Sequence, residues 1–185
     1  MPSLYSIALF LHIVGALGFF VVLGLEWVSL LYLRRAATID QVREWIGVLG
    51  LMRWIGPASM GLILLAGIYM AMTAWGRAPW IGIGLAAMIL IAIIGGALTG
   101  PRMAAIRRAL TSESGSLSFA FRQRLHDPLL WLSNQVRVAI ALGIVFIMTV
   151  KPDLTGTLLT IGVAAILGLA SALPMWSRGG TQEPT

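Results

Sequence analysis

His12 is the residue of this sequence best suited to bind a metal, because its imidazole lies within the first long apolar stretch. Imidazole nitrogens bind iron, copper and zinc. His12 shares a helical face with Gly15 and Phe19, and the glycine would leave room for the ring. Counting to the same depth in the third apolar stretch reaches Met88, so the two residues could form an axial pair for haem. The alternative is that His12 only hydrogen-bonds a neighbouring helix.

Two opposite charges within apolar stretches, Glu26 and Arg137, form a second candidate site. The apolar run after Arg137 is too short to cross a bilayer alone, because a helix rises about 1.5 Å per residue and the hydrocarbon core is about 30 Å thick. Arg137 must therefore lie below the membrane surface, at a depth that Glu26 could match. Such an intramembrane ion pair either holds two helices in register or belongs to a proton or substrate pathway. Asn134 and Gln135 could complete either arrangement.

The remaining residue types limit the chemistry. The absence of cysteine excludes disulfides, thiolate metal sites, iron–sulfur clusters and a cysteine nucleophile. Thioethers suit copper(I), which makes copper an alternative to haem at Met70, Met72, Met88 and Met148. His126 lies in a basic segment and is interpreted as a solvated cap residue. No Ser-His-Asp set, HExxH motif or phosphate-binding glycine loop is present, so no catalytic residues are predicted.

Membrane-spanning helices must position these side chains. The 185 residues are 58% hydrophobic and 11% charged, with a mean hydropathy of +0.91, far from the balance of a soluble domain. An all-α polytopic bundle is predicted, with five spans at about residues 4–33, 54–74, 79–99, 129–150 and 154–173. The first stretch is too long for a signal-peptide core, so we expect it to stay in the mature protein. Residues 1–176 would form one transmembrane domain and residues 177–185 a disordered tail.

Local signals predict how the spans begin and end. Thr38 opens a capping-box spacing that predicts a short surface helix before the second span. Pro57 would lie in the first turn of that span or kink it. The polar segment 102–127 is interpreted as two short basic amphipathic pieces, and Asp127 followed by proline predicts the start of the fourth span. Pro174 is expected to end the fifth.

The distribution of positive charge predicts an orientation. Most of the 13 Lys and Arg residues fall on one side of the five-span topology, with Arg77 and Lys151 opposite and Arg137 within the fourth span. This bias predicts an N-terminus outside and a C-terminus inside. The calculated pI of 11.1 follows from arginines placed between apolar runs, so we expect no nucleic-acid partner. The expected partners are the lipid bilayer and either a second copy or a membrane complex.

Three segments carry a resemblance to known proteins: LHIVGALGFFVVLG at residues 11–24, LGIVFIMTVKPDL at 142–154 and LLTIGVAAILGL at 158–169. The first resembles the opening of a loose group of small bacterial membrane proteins, which includes copper-resistance protein D-like proteins and HemJ-type protoporphyrinogen oxidases. The other two are similar to uncharacterised integral membrane proteins near that group. The resemblance implies a helical bundle in a bacterial inner membrane, in which His12 binds haem. HemJ-type proteins pair the histidine with a lysine in a later span, whereas the only lysine here, Lys151, ends the fourth span.

Three functional hypotheses follow. The first is haem or metal binding at His12 in a redox or metal-handling role. The second is a non-catalytic structural or assembly subunit of a membrane complex, stabilised by the Glu26–Arg137 pair. The third is a small transporter that uses the same pair as a relay.

Overall fold

The computed structural model describes residues 3–76, 78–113 and 116–177, with the backbone alone for residues 174–177. Within these ranges the chain forms helices and no strand, and its one β contact is an isolated bridge between Thr38 and Ser116. The prediction of an all-α fold is therefore confirmed for the part of the chain described. Arg77, Arg178 and the predicted tail after Ser177 lie outside these residues.

Seven α-helices and two π-helical segments follow one another along the described chain. The first three α-helices are α1 (Leu4–Arg35), α2 (Ile39–Met70) and α3 (Pro79–Ile94). Two shorter ones follow, α4 (Gly100–Leu110) and α5 (Phe119–Leu125), and then α6 (Pro128–Val150) and α7 (Leu154–Ser177). The first π segment, Ala71–Trp75, extends α2, and the second, Gly95–Thr99, joins α3 to α4.

Five helical stretches are long and apolar enough to cross a membrane, which confirms that part of the prediction. In four of them only 17–22% of the most apolar window is buried within the protein. So much exposed apolar surface suits contact with lipid and would be costly in water. The remaining stretch, Phe119–Val150, is the fourth along the chain. Half of its most apolar window is buried, because α6 packs against α1, α3 and α7. α6 is therefore the central helix of a bundle that fits a multi-pass membrane protein.

Two apolar clusters form most of the core. The central cluster joins α1, α3 and α6 and consists of Phe19, Leu23, Ala87, Met88, Ile91, Val136, Ile140, Ala141 and Ile144. The loop-end cluster lies where α4 and α5 pack against α1, α2 and α6, and includes Leu30, Leu33, Val42, Ile106, Phe121, Leu125, Leu130 and Trp131. The opposite end of the bundle, where α1 begins, is called the His12 end below.

α2 differs from the prediction because the expected surface helix and second span form one continuous helix. Thr38 caps it through the predicted capping box with Gln41, and Pro57 lies in its interior rather than near its start. A break in the chain at this point would leave several backbone groups without partners in an apolar environment, whereas proline removes a single donor. Continuing the helix is the less costly solution.

Two other helix ends also differ from the prediction. The third span does not stop at residue 99, because the second π segment leads directly into α4, where Pro101 occupies a first-turn position that needs no backbone N–H. The last helix passes Pro174 and ends at Ser177, so Pro174 does not terminate it. The start of α6 is as predicted, with the Asp127 side chain accepting a hydrogen bond from the Leu129 N–H at 2.9 Å.

Candidate functional site

A cavity of about 390 Å³ lies at the His12 end, among the start of α1, the end of α2, the start of α3 and the end of α6. Its volume falls in the range of small-molecule sites, which is about 300–1,000 Å³. Most of the wall is apolar or aromatic, and His12, Tyr5 and Lys151 supply polar groups. The cavity therefore has space for a ligand that is itself largely apolar.

His12 forms one hydrogen bond, in which its Nδ1 lies 2.9 Å from the Ile63 carbonyl oxygen on α2. Because a carbonyl oxygen only accepts, Nδ1 must carry the proton, and a neutral ring then keeps a lone pair on Nε2. The ring fits because α2 has a glycine beside it: a Cβ on Gly67 would lie 3.2 Å from the imidazole. Gly15 does not provide this room, contrary to expectation. Instead a Cβ on Gly15 would meet the Ser59 carbonyl oxygen at 2.9 Å, so Gly15 lets the α1 and α2 backbones pack closely.

Met88 lines the same cavity as His12, and the methionines at positions 70, 72 and 148 line it too. The structure thus brings together one imidazole and four thioethers that are far apart in the sequence. Among the described residues no group of three His, Cys, Asp or Glu side chains could hold a metal. A metal ion bound at this cavity would therefore need thioether ligands as well as His12.

Lys151 belongs to an aromatic cluster at the rim of this cavity. It caps α6 in a left-handed conformation, with φ of 54°. Its Nζ lies 3.7 Å from the centre of the Trp75 ring, and the Trp75 Nε1 donates to the Tyr5 hydroxyl at 3.2 Å. Trp80 lies edge-on to Trp75, with 5.6 Å between ring centres. The cluster joins the ends of four helices whose aromatic and lysine residues are far apart in the sequence.

The Glu26–Arg137 pair forms a separate polar centre between α1 and α6. The Arg137 Nη2 contacts the Glu26 Oε1, and both residues are buried. The Arg137 Nε donates to the Ser133 carbonyl at 3.2 Å, so the side chain folds back along α6 toward the start of the helix. Glu26 lies toward the loop end of the bundle, so an Arg137 side chain that folds toward the start of α6 can reach it.

Neighbouring polar groups complete this centre. Thr99, at the end of the second π segment, accepts from the Arg137 Nη2 at 3.3 Å and shares a hydrogen bond with the Ser133 hydroxyl at 2.9 Å. Asn134 donates to the Leu23 carbonyl at 3.3 Å, whereas Gln135 faces α7 and donates to Ser171. Asn134 therefore joins α6 to α1 without a hydrogen bond to the ion pair, and Gln135 joins α6 to α7.

The second π segment borders this centre, a contribution that sequence reasoning missed. A Cβ on Gly95 would lie 3.3 Å from the Arg137 Nη1, so the glycine makes room for the guanidinium. Single π turns are frequent at functional sites. The available signal was the pair Gly95-Gly96 followed by Thr99 inside an otherwise apolar span.

His126 is remote from both sites and caps α5. Its Nδ1 lies 2.9 Å from the Arg122 carbonyl, and its own carbonyl accepts from the Arg34 Nη2 at 2.9 Å. These contacts are those of a cap residue.

No protein-family model, curated protein or solved structure matches this chain. What the protein does is therefore inferred from the geometry of its two sites.

Proposed function

We propose that the cavity at the His12 end binds a metal centre in a redox or metal-handling role, with haem iron as the first candidate and copper(I) as the second. The observation that carries the proposal is the hydrogen bond from the His12 Nδ1 to the Ile63 carbonyl. Metal-binding histidines usually donate the second ring N–H to a carbonyl or carboxylate, which fixes the tautomer and orients the ring. His12 is held in this way, and its Nε2 is the nitrogen that would bind the metal.

The residues around His12 suit both candidates. For haem, His12 and Met88 would hold the iron, and the apolar, aromatic wall would exclude water from the site. A bound haem would supply one-electron redox chemistry. For copper(I), the four cavity methionines would provide soft thioether ligands beside the imidazole.

The positions of the arginines and the resemblance of residues 11–24 support an orientation and a membrane for this metal centre. The excess of arginine on the loop side favours an N-terminus outside and a C-terminus inside, which puts the His12 end at the outer face. The resemblance of residues 11–24 to small bacterial haem- and copper-related membrane proteins favours a bacterial inner membrane. A metal centre near the outer face would suit exchange of electrons or metal with the outside.

The test is to purify the protein in mild detergent and record oxidised and reduced visible spectra together with metal analysis. A Soret band in the native protein supports haem, and stoichiometric copper without a chromophore supports the copper alternative. His12→Ala should abolish either signal, whereas His126→Ala should leave it unchanged because His126 lies at the loop end. Met88→Leu should shift the spectrum if the Met88 thioether binds the iron. A colourless, metal-free native protein would reject the proposal.

A non-catalytic structural or assembly role is the second candidate, favoured by the Glu26–Arg137 pair. Every hydrogen bond described for the Arg137 side chain either joins helices or fixes that side chain on α6. Under this hypothesis the bundle would associate with a second copy or with a membrane complex through its basic loops. Neutralising both charges together would then be tolerated, and other subunits would purify with the protein. A transporter that uses the pair as a relay would instead lose activity in that double variant.

A further inference from the structure

A groove of about 620 Å³ runs between α6 and α7 and shares no residue with the His12 cavity. Small residues form its floor, where a Cβ on Gly143 would lie 3.0 Å from the Ala164 methyl group. Its rims consist of large apolar side chains that are each at least half exposed: Leu142 and Phe146 on α6, and Leu159, Val163 and Leu167 on α7. The groove therefore opens outward from the bundle, toward lipid or toward another protein.

Gln135 places an amide at the loop end of this groove. Its Nε2 donates to the Ser171 hydroxyl at 3.2 Å, and that hydroxyl donates in turn to the Gly168 carbonyl at 2.8 Å. A glutamine amide has two N–H donors and an acceptor oxygen. One N–H and the Oε1 of Gln135 therefore have no partner among the residues that the structure describes.

In a bilayer, Gln135 lies at the depth of the lipid tails. It is about 24 Å along α6 from Lys151 at 1.5 Å per residue, and the exposed Lys151 marks the polar edge at which α6 ends. The hydrocarbon core is about 30 Å thick, so this distance does not take Gln135 out of it. Lipid tails offer no hydrogen bond, and a polar group that faces them is costly. The unpaired groups of the amide therefore need a protein partner.

The groove has the properties of a surface that binds its own copy. A twofold interface must be self-complementary, because both molecules contribute the same patch. Two identical amides meet this condition, since the free N–H of each can donate to the Oε1 of the other. The shape meets it as well: Leu159, Val163 and Leu167 recur every four residues, and such a ridge packs into the groove of a facing helix pair. The small floor residues allow the close approach that packing in a membrane requires.

We propose that the α6–α7 groove is the interface of a twofold symmetric homodimer in the membrane, in which the Gln135 amides of the two copies pair with each other. The α7 ridge of each copy occupies the groove of the other. A lipid tail would also fill the groove, but it would leave both amides unpaired, so a second copy is the better occupant. The dimer uses no residue of the His12 cavity, and its test is independent of the proposed metal site.

The dissociation constant of the dimer tests the role of the amide. The chain has no cysteine, so one cysteine introduced at an exposed loop position can carry a donor or acceptor dye. Energy transfer between copies of the full chain is then measured in phosphatidylcholine vesicles at increasing dilution in lipid. Gln135→Leu removes the amide and should raise the dissociation constant about tenfold.

Ser171→Ala is the matched control for Gln135→Leu. It removes the internal partner of Gln135 but keeps the amide, so it should leave the dissociation constant unchanged. Equal effects in the two variants would show that the amide acts only within one copy and would overturn the proposal. A native chain that is monomeric in the vesicles would overturn it too, including one that retains a lipid in the groove.

Oxidative cross-linking in the same vesicles tests where the copies meet. Leu142→Cys and Val163→Cys each place a single thiol on one rim of the groove, and mild iodine oxidation should join two copies through a disulfide at one or both positions. Leu65→Cys is the control, because Leu65 is 74% exposed on α2, which contributes no residue to the groove. It should not cross-link. A dimer that cross-links at neither groove position, or equally well at Leu65, would place the interface elsewhere and overturn the proposal.

Discussion

The two polar centres of this bundle lie on the same helix but use their polar atoms differently. His12 and Glu26 are separated along α1 by about 21 Å at 1.5 Å per residue. At the His12 end one ring nitrogen is bonded and the other keeps its lone pair, beside a cavity of about 390 Å³. At the other centre, the Arg137 guanidinium and the Glu26 carboxylate bond to each other and to their neighbours.

This difference is the one expected between a site that accepts a ligand and an ion pair that stabilises the fold. A ligand site needs space and a donor or acceptor whose bonding capacity is not yet used. In a structural ion pair, the two charged groups are packed against neighbouring residues and make their hydrogen bonds within the protein. The central cluster separates the two centres, so variants in one should act independently of the other.

The largest expected effect is on the Glu26–Arg137 centre. Arg137→Met leaves the Glu26 carboxylate buried without its partner, which should lower the free energy of unfolding by about 3–5 kcal/mol. Glu26→Gln should cost a similar amount, because it leaves the guanidinium unpaired. The measurement is denaturant or thermal unfolding in the same detergent for the native protein and each variant.

The double variant sharpens this prediction. If the pair is structural, Glu26→Gln combined with Arg137→Met should be less destabilised than the sum of the single variants, because no unpaired charge remains. Simple additivity would show that the two charges do not depend on each other for stability. The His12 chromophore, where present, should survive in the double variant, and its loss would show that the two centres are coupled.

The second largest effect is expected at Gly15, which lets α1 pack closely against α2 near His12. Gly15→Ala would bring a Cβ to 2.9 Å from the Ser59 carbonyl oxygen and 3.0 Å from the Ile63 backbone nitrogen, so α1 must move away from α2. Overpacking of this kind costs about 1–3 kcal/mol in the free energy of unfolding. Because Ile63 also accepts the His12 hydrogen bond, metal or haem affinity should fall as well.

Gly24→Ala is the matched control on α1, since nothing lies within 4 Å of a Cβ at that position. It should leave ligand binding unchanged and stabilise the helix by up to about 1 kcal/mol through helix propensity. Equal losses of stability in both variants would contradict the close-packing account of Gly15.

The elements of the fold could be predicted from the sequence because hydrophobic length and capping are local signals. The long apolar runs predicted five membrane-spanning helices, and Thr38 and Asp127 marked helix starts that the structure contains. The prediction that Pro174 ends the last helix was wrong, and Pro57 lies inside α2 rather than in the first turn of a separate span. Proline breaks helices readily in water, but in an apolar setting the backbone groups freed by a break have no solvent to bond.

The candidate sites could be predicted only as residue types. Length limits on the fourth span predicted that Arg137 would lie at a depth near Glu26, and the structure brings their side chains together. The hydrogen bond to Ile63, the room left by Gly67 and the aromatic cluster around Lys151 all depend on how α1, α2, α3 and α6 pack. A single sequence carries no signal for the rotation of one helix against another, so these contacts could not be inferred.

A third prediction tests whether His12 contributes to stability or to ligand binding. His12→Phe keeps a ring in the space beside Gly67 and removes both nitrogens. The Ile63 carbonyl lies within α2, so only the supplementary bond from His12 is lost, at a cost of about 0.5–1.5 kcal/mol in the free energy of unfolding. Binding of the metal or haem should disappear entirely. A loss of stability as large as that of Arg137→Met would instead make His12 a structural residue and remove the contrast between the two centres.

The smallest effect is expected at Lys151, which lines the cavity but interacts with protein rings. Lys151→Met keeps most of the side-chain length and removes the cation that lies 3.7 Å from the centre of the Trp75 ring. An exposed cation–π contact contributes about 0.5–1 kcal/mol, so the free energy of unfolding should fall by that amount and the visible spectrum should not change. Lys151→Arg retains a cation and should behave like the native protein in both measurements. If Lys151→Met instead shifts the spectrum or weakens ligand binding, Lys151 contacts the ligand, and the ligand must then carry an anionic or carbonyl group at the rim of the cavity.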